Sequence, residues 1–102
     1  MKAVVVFAVA SALFAATPGY AQEELAKKNA CFSCHTMDKK LVGPGYKEVA
    51  ARYRTDKCAE AKLVDKVKKG GAGVWGQVPM QPNANVSDAD ARALVKWILS
   101  LK

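Results

Sequence analysis

Two thiols and an imidazole stand together in Cys31-Phe32-Ser33-Cys34-His35, and this pentapeptide is where the chain can do chemistry. C-x-x-C-H is the attachment signature of a c-type haem. Two thioether bonds must hold two vinyl edges of one porphyrin, so both sulfurs have to lie on the same side of it. Positions i and i+3 of a helical turn provide that. The next residue, His35, is then placed to offer its imidazole to the iron. Three other chemistries use the same residue types. A thioredoxin-like redox pair needs a βαβ setting, and no β-rich segment flanks the motif. A zinc site needs four ligands; the three cysteines and the single histidine make that number, but Cys58 stands far from the rest. A Cys31–Cys34 disulfide would leave His35 without a role.

Haem iron has two axial positions, and a chain with one histidine cannot fill both with imidazole. Met37 is too near His35 in sequence to reach the opposite face of the ring. Met80 is far enough along for the chain to pass around the porphyrin edge. It sits in Val78-Pro79-Met80-Gln81-Pro82-Asn83, where the prolines restrict φ and remove backbone donors. Such a stiff, non-helical loop can hold a soft thioether in place. The plainer alternative is a methionine that fills a gap in the core. With Met80 unbound the iron would be open, and peroxidase or gas-binding chemistry would follow. With Met80 bound both axial positions are filled, the potential rises and substrates are shut out. One-electron transfer without an enzymatic reaction is then the expected activity.

These residues need elements to position them. Segment 24–34 reads as a helix ending in the thiol motif, with Leu25 and Phe32 on a roughly common face. A loop through Gly43-Pro44-Gly45 follows. Segment 46–54 reads as a short helix, with Tyr46, Val49, Ala50 and Tyr53 at helical spacing. Segment 57–69 reads as another, with Leu63, Val64 and Val67 inward and Gly70, Gly71 and Gly73 stopping it. Segment 74–86 is the irregular methionine loop. Ser87 caps a last helix, with Asp90 at its third position, which runs to about residue 101 and carries Ala91, Leu94, Val95, Ile98 and Leu99 as its apolar residues. No strand, repeat or linker is evident, so the expected fold class is all-α.

The front of the chain reads differently. Lys2 precedes an apolar run over residues 3–16, Thr17-Pro18-Gly19 breaks it, and small residues flank Tyr20. This is the order of a secretory signal peptide, shorter than the roughly 20 apolar residues of a membrane span. Residues 1–21 are therefore expected to be a cleaved leader and 22–102 the functional domain. A domain of that size needs a staple beyond its apolar core, and a covalent haem would supply one.

In combination, Cys31-x-x-Cys34-His35, Val42-Gly43-Pro44, Tyr46-Lys47, Gly73-Val74-Trp75-Gly76, Pro79-Met80, Pro82-Asn83 and Lys96-Trp97 resemble the small class I cytochromes c of bacteria, of the cytochrome c-551 or cytochrome c8 type. The resemblance spans residues 22–102 in order. It implies about four helices wrapped around one covalent haem c and its iron. Cys31 and Cys34 would carry the haem, and His35 and Met80 would be the axial ligands. The Pro44 carbonyl would accept a hydrogen bond from His35. Trp75 would reach a haem propionate through its indole N–H, core packing being the plainer alternative, and Asn83 would bond near the Met80 sulfur. An arginine that often meets a propionate in the family is replaced here by Lys66, a point charge rather than a fork. Trp97 would pack the last helix on the first. Cys58 departs from the family pattern and would be buried, exposed and free, or in an intermolecular disulfide.

The net charge of +7 barely changes without the leader, whose only charged residue is Lys2. Lys27, Lys28, Lys39, Lys40, Lys47, Arg52 and Arg54 cluster on and after the motif. They form a solvated basic surface, or they steer the protein toward acidic partners. Nucleic acid and stable membrane insertion after cleavage are not expected. The resemblance implies a monomeric periplasmic carrier in a respiratory chain, linking an upstream complex to a nitrite reductase or a terminal oxidase. A haem-bearing subunit of a larger oxidoreductase is the alternative.

Overall fold

A computed structural model describes residues 3–5 and 19–102. Most of the expected leader, and the apolar run on which it rests, lies outside the described residues. Four helices follow in order: α1 Tyr20–Lys28, α2 Tyr46–Tyr53, α3 Ala59–Lys69 and α4 Asp88–Ser100, with a single 3-10 turn at Cys31–Ser33 after α1. Among the described residues there is no strand, only the isolated bridges His35–Lys40 and Gly71–Met80. The class is all-α.

The last helix organises the rest. Ser87 caps it, its hydroxyl accepting from the Asp90 N–H at 3.1 Å, and acids in the first turn suit the helix dipole. Its buried residues Ala91, Leu94, Val95 and Ile98 recur at helical spacing, and α1, α2 and α3 all pack on it. Leu94 and Val95 are fully enclosed, each worth about 1.5–3 kcal/mol relative to exposure. Trp97 lies in the same cluster, edge-on to Tyr46 with ring centres 5.7 Å apart. Its indole nitrogen is 2.8 Å from where a Cβ on Gly19 would stand, so α4 meets the chain at the start of α1. Trp97 therefore joins the last helix to the first.

Two helix boundaries differ from the sequence reading. The first helix begins earlier and stops before the thiol motif rather than running through it. Asn29 ends it by donating to the Leu25 carbonyl from both its amide (2.9 Å) and its backbone N–H (3.1 Å). Ala30 then takes a left-handed conformation at φ 58°, which no α-helix continues through. The third helix starts at Ala59, not at residue 57, because the Asp56 carboxylate accepts the Cys58 N–H at 2.8 Å and turns the chain first.

Candidate functional site

The thiol motif sits on the 3-10 turn and is closed by its own backbone. The N–H groups of Cys34 and His35 both donate to the Cys31 carbonyl, at 3.2 and 3.0 Å. Both cysteines are free, Cys31 half-buried and Cys34 exposed. Burial pushes the Cys31 thiol above its usual range, against a bond from the Tyr46 side chain. Tyr46, itself buried, is pushed up first by burial and then by Cys31.

His35 is fixed on three sides. Its Nδ1 lies 2.8 Å from the Pro44 carbonyl oxygen. A carbonyl only accepts, so Nδ1 carries a proton, and Nε2 is the ring nitrogen left to bind elsewhere. Tyr46 stacks on one face of the ring, centres 5.0 Å apart and planes 21° from parallel. Gly43 closes the edge: a Cβ there would be 2.6 Å from the His35 Cε1. The loop that brings Gly43 and Pro44 into place is tied down throughout. The N–H groups of Val42 and Gly43 donate to the Cys34 carbonyl, those of Tyr46 and Lys47 to Thr36 and Met37, and the Thr36 hydroxyl closes a turn with Lys39. An imidazole oriented by a backbone carbonyl in this way has its other nitrogen free to bind a metal.

Met80 is positioned by its backbone. Its N–H donates to the Gly71 carbonyl at 2.8 Å, and its carbonyl accepts from the Gly71 N–H at 3.1 Å. Gly70, at φ 70°, allows this closeness, since any Cβ would run into the Met80 carbonyl oxygen. Met80 is half-buried, yet among the described residues that pack on the buried cluster Met37 is present and Met80 is not. Its backbone is thus held, and its side chain is not part of that core cluster. Asn83 anchors the far end of the loop: its backbone N–H and its side-chain amide both donate to the Val67 carbonyl, at 3.0 and 3.1 Å, and the amide also reaches Gln81. Its amide hydrogens are engaged with backbone carbonyls rather than with sulfur.

Trp75 is half-buried, packed against the core cluster, with the Arg52 guanidinium over its ring at 4.9 Å. Lys66 folds its ammonium toward Gly71, 2.7 Å from where a Cβ would stand. Cys58 is exposed and free, which removes the buried alternative. The rival chemistries find no support. Among the described residues no three His, Cys, Asp or Glu side chains come together to hold a metal, and Cys31 and Cys34 are not bridged.

A haem fits the donor set. Two free thiols lie one turn apart, an imidazole nitrogen is left open beside them, and a methionine is presented by a separate loop anchored at its ends. Leu41, Val42, Val74 and Val78 carry large apolar side chains exposed to solvent on the two loops that hold these donors. Apolar surface of this kind suits the flat face and edge of a porphyrin.

Comparison with known proteins agrees. The family model for cytochrome c matches residues 22–102. Cytochrome c-552 of Nitrosomonas europaea is 54% identical over 91% of this chain and 90% of its own length. Cytochrome c-551 of Allochromatium vinosum is 52% identical over 89% of this chain and 97% of its own. The crystal structure of wild-type Nitrosomonas europaea cytochrome c552 superposes with a TM-score of 0.76 at 55% identity, covering 78% of this chain and 99% of that one.

Proposed function

Since the chain belongs to the cytochrome c family of electron-transfer proteins with covalent haem c and iron, we propose that it is a diffusible one-electron carrier of the periplasm, with Cys31 and Cys34 as the thioether attachments and His35 and Met80 as the axial ligands. The observation that carries this reading is the fixed tautomer of His35. With Nδ1 spent on Pro44, only Nε2 is left to bind. Haem iron supplies a reversible one-electron change. The chain's own residues decide the rest. His35 and Met80, on two separate loops, would both ligate the iron, which would raise its potential and leave no coordination site for a substrate. That is the chemistry of a carrier rather than of an enzyme.

Trp75 is read as the donor to a haem propionate and Asn83 as the anchor that keeps the Met80 sulfur in place through Val67. Residues 1–21 are read as a leader removed on export. Among the described residues no helix is long and apolar enough to cross a membrane. The exposed lysines Lys39, Lys40 and Lys47 suit electrostatic steering to an acidic partner. A nitrite reductase, a terminal oxidase or an upstream respiratory complex is the kind of partner proposed, the protein itself acting as a monomer.

Visible spectra of the purified protein test the ligation. The oxidised form is expected to show the thioether-to-iron band toward the red, and the reduced form to resist carbon monoxide at neutral pH. A missing band with tight carbon monoxide binding would replace the carrier by an open-iron peroxidase or gas-binding protein. Co-elution of the native protein with a large complex would make it a subunit instead. Intact mass of the exported protein locates the cleavage.

A further inference from the structure

The methionine loop meets α2 at a point that neither the thiols nor the axial pair requires. Arg52, in the last turn of α2, places its guanidinium carbon 4.9 Å from the centre of the Trp75 ring. Arg52 is exposed, and among the described residues no carboxylate lies within ion-pair distance of it. Lys47, Lys62 and Lys69, by contrast, all have acid partners. The guanidinium is therefore spent on the indole face. A planar cation over an aromatic ring restricts the ring's plane and is drawn to its electrons, which a lysine does less well. Trp75 packs on the core cluster and carries this cation over its ring, so its ring is restrained from α2 as well as from its own loop.

We propose that Arg52 is a positioning residue of the redox centre: it clamps Trp75 so that the indole N–H is aimed at the haem carboxylate, and its fixed positive charge raises the reduction potential through that contact. This rests on the reading of Trp75 as a propionate donor. A cation near the centre favours the state holding one more electron, and a firmly held N–H donor withdraws charge from the carboxylate.

Redox titration of the holoprotein, together with the Trp75 indole N–H resonance of the reduced form, tests it in Arg52→Gln, Arg52→Lys, Trp75→Phe and the Arg52→Gln/Trp75→Phe double variant. Arg52→Gln is expected to lower the potential, shift the indole resonance and speed its exchange with solvent. Arg52→Lys should restore much of the potential but not the resonance. The drop caused by Arg52→Gln should shrink in the Trp75→Phe background. An equal drop in both backgrounds, or an unmoved indole resonance, would overturn the clamp while leaving Trp75 as a donor. An unchanged potential in Trp75→Phe alone would instead remove the propionate reading of Trp75, and the clamp with it.

Discussion

Residues 34–47 and residues 70–86 each present one of the proposed axial donors, and they are built differently. On the histidine side Pro44, Gly45 and Tyr46 are buried, and the N–H groups of Val42, Gly43, Tyr46 and Lys47 all bond back to residues 34–37. On the methionine side the chain from Gly71 to Val74 and from Gly76 to Pro79 is exposed. It is held at a few points: the Gly71–Met80 pair, the Gly73–Gly76 turn at 2.8 Å and the Asn83–Val67 anchor. The first loop is shaped by the protein alone. The second is held at its ends and by one turn between them. Segments with few buried contacts open at lower free energy than the core. Of the two proposed donors, Met80 is accordingly expected to let go first and His35 to stay with the folded chain.

The strongest way to break this contrast is to remove the donor on the weaker side. Met80→Ala should leave the fold and the haem attachment intact. The potential should fall by a few tenths of a volt, within the roughly 0.8 V that axial ligands span, and the reduced protein should take up carbon monoxide. Redox titration and visible spectra check it. An unchanged potential would mean that sulfur never bound.

A matched pair of glycine substitutions sharpens the same contrast. Gly43→Ala pushes a methyl into an imidazole already held by Pro44 and Tyr46, so nothing nearby can give way. Overpacking of this kind costs about 1–3 kcal/mol and should appear as a lower denaturation midpoint with the thioether band intact. Gly70→Ala strains a backbone at φ 70°, ψ −163°, where essentially only glycine sits, and drives a Cβ at the Met80 carbonyl, with a cost of about 1–3 kcal/mol for the backbone alone. Here the thioether band should fade at a temperature below global unfolding. If both variants lose the band and the fold together, the two loops are one cooperative unit and the distinction fails.

Much of this was legible in residue types and spacing. The C-x-x-C-H pentapeptide, the proline-flanked methionine and the Ser87 cap each follow from local chemistry, and the 3/4 spacing of Leu94, Val95 and Ile98 announces the face that α4 buries. The early end of α1 was not legible. Asn29 is compatible with a helix interior, and only its double bond to the Leu25 carbonyl with the left-handed turn at Ala30 shows the stop. The role of Arg52 was equally hidden. In sequence it is one more basic residue after the motif, and its ring partner lies 23 positions away, so only the packed structure brings the two together. Tyr46 read as a core residue, which it is, but its stacking on His35 depends on the loop returning to the turn.

The smallest expected effect lies outside both loops, at the entry to α3, and serves as their control. The Asp56 carboxylate accepts from the Lys62 ammonium at 2.9 Å and from the Cys58 N–H at 2.8 Å. The lysine first, and then the backbone donor, hold its carboxyl below the usual range. A carboxyl with a depressed folded pKa stabilises the native state above its unfolded value of about 3.9 and stops doing so as pH falls through the folded value. Asp56→Asn keeps an acceptor for Cys58 but loses the charge. The variant should therefore melt slightly below the parent at neutral pH, by little because the pair is exposed, and the gap should close in acid below the carboxylate range. Its potential and thioether band should match the parent at every pH at which both are folded. A shift in either would show that α3 transmits strain to the methionine loop through Val67, and the ends of that loop would then be less firmly set than its hydrogen bonds imply.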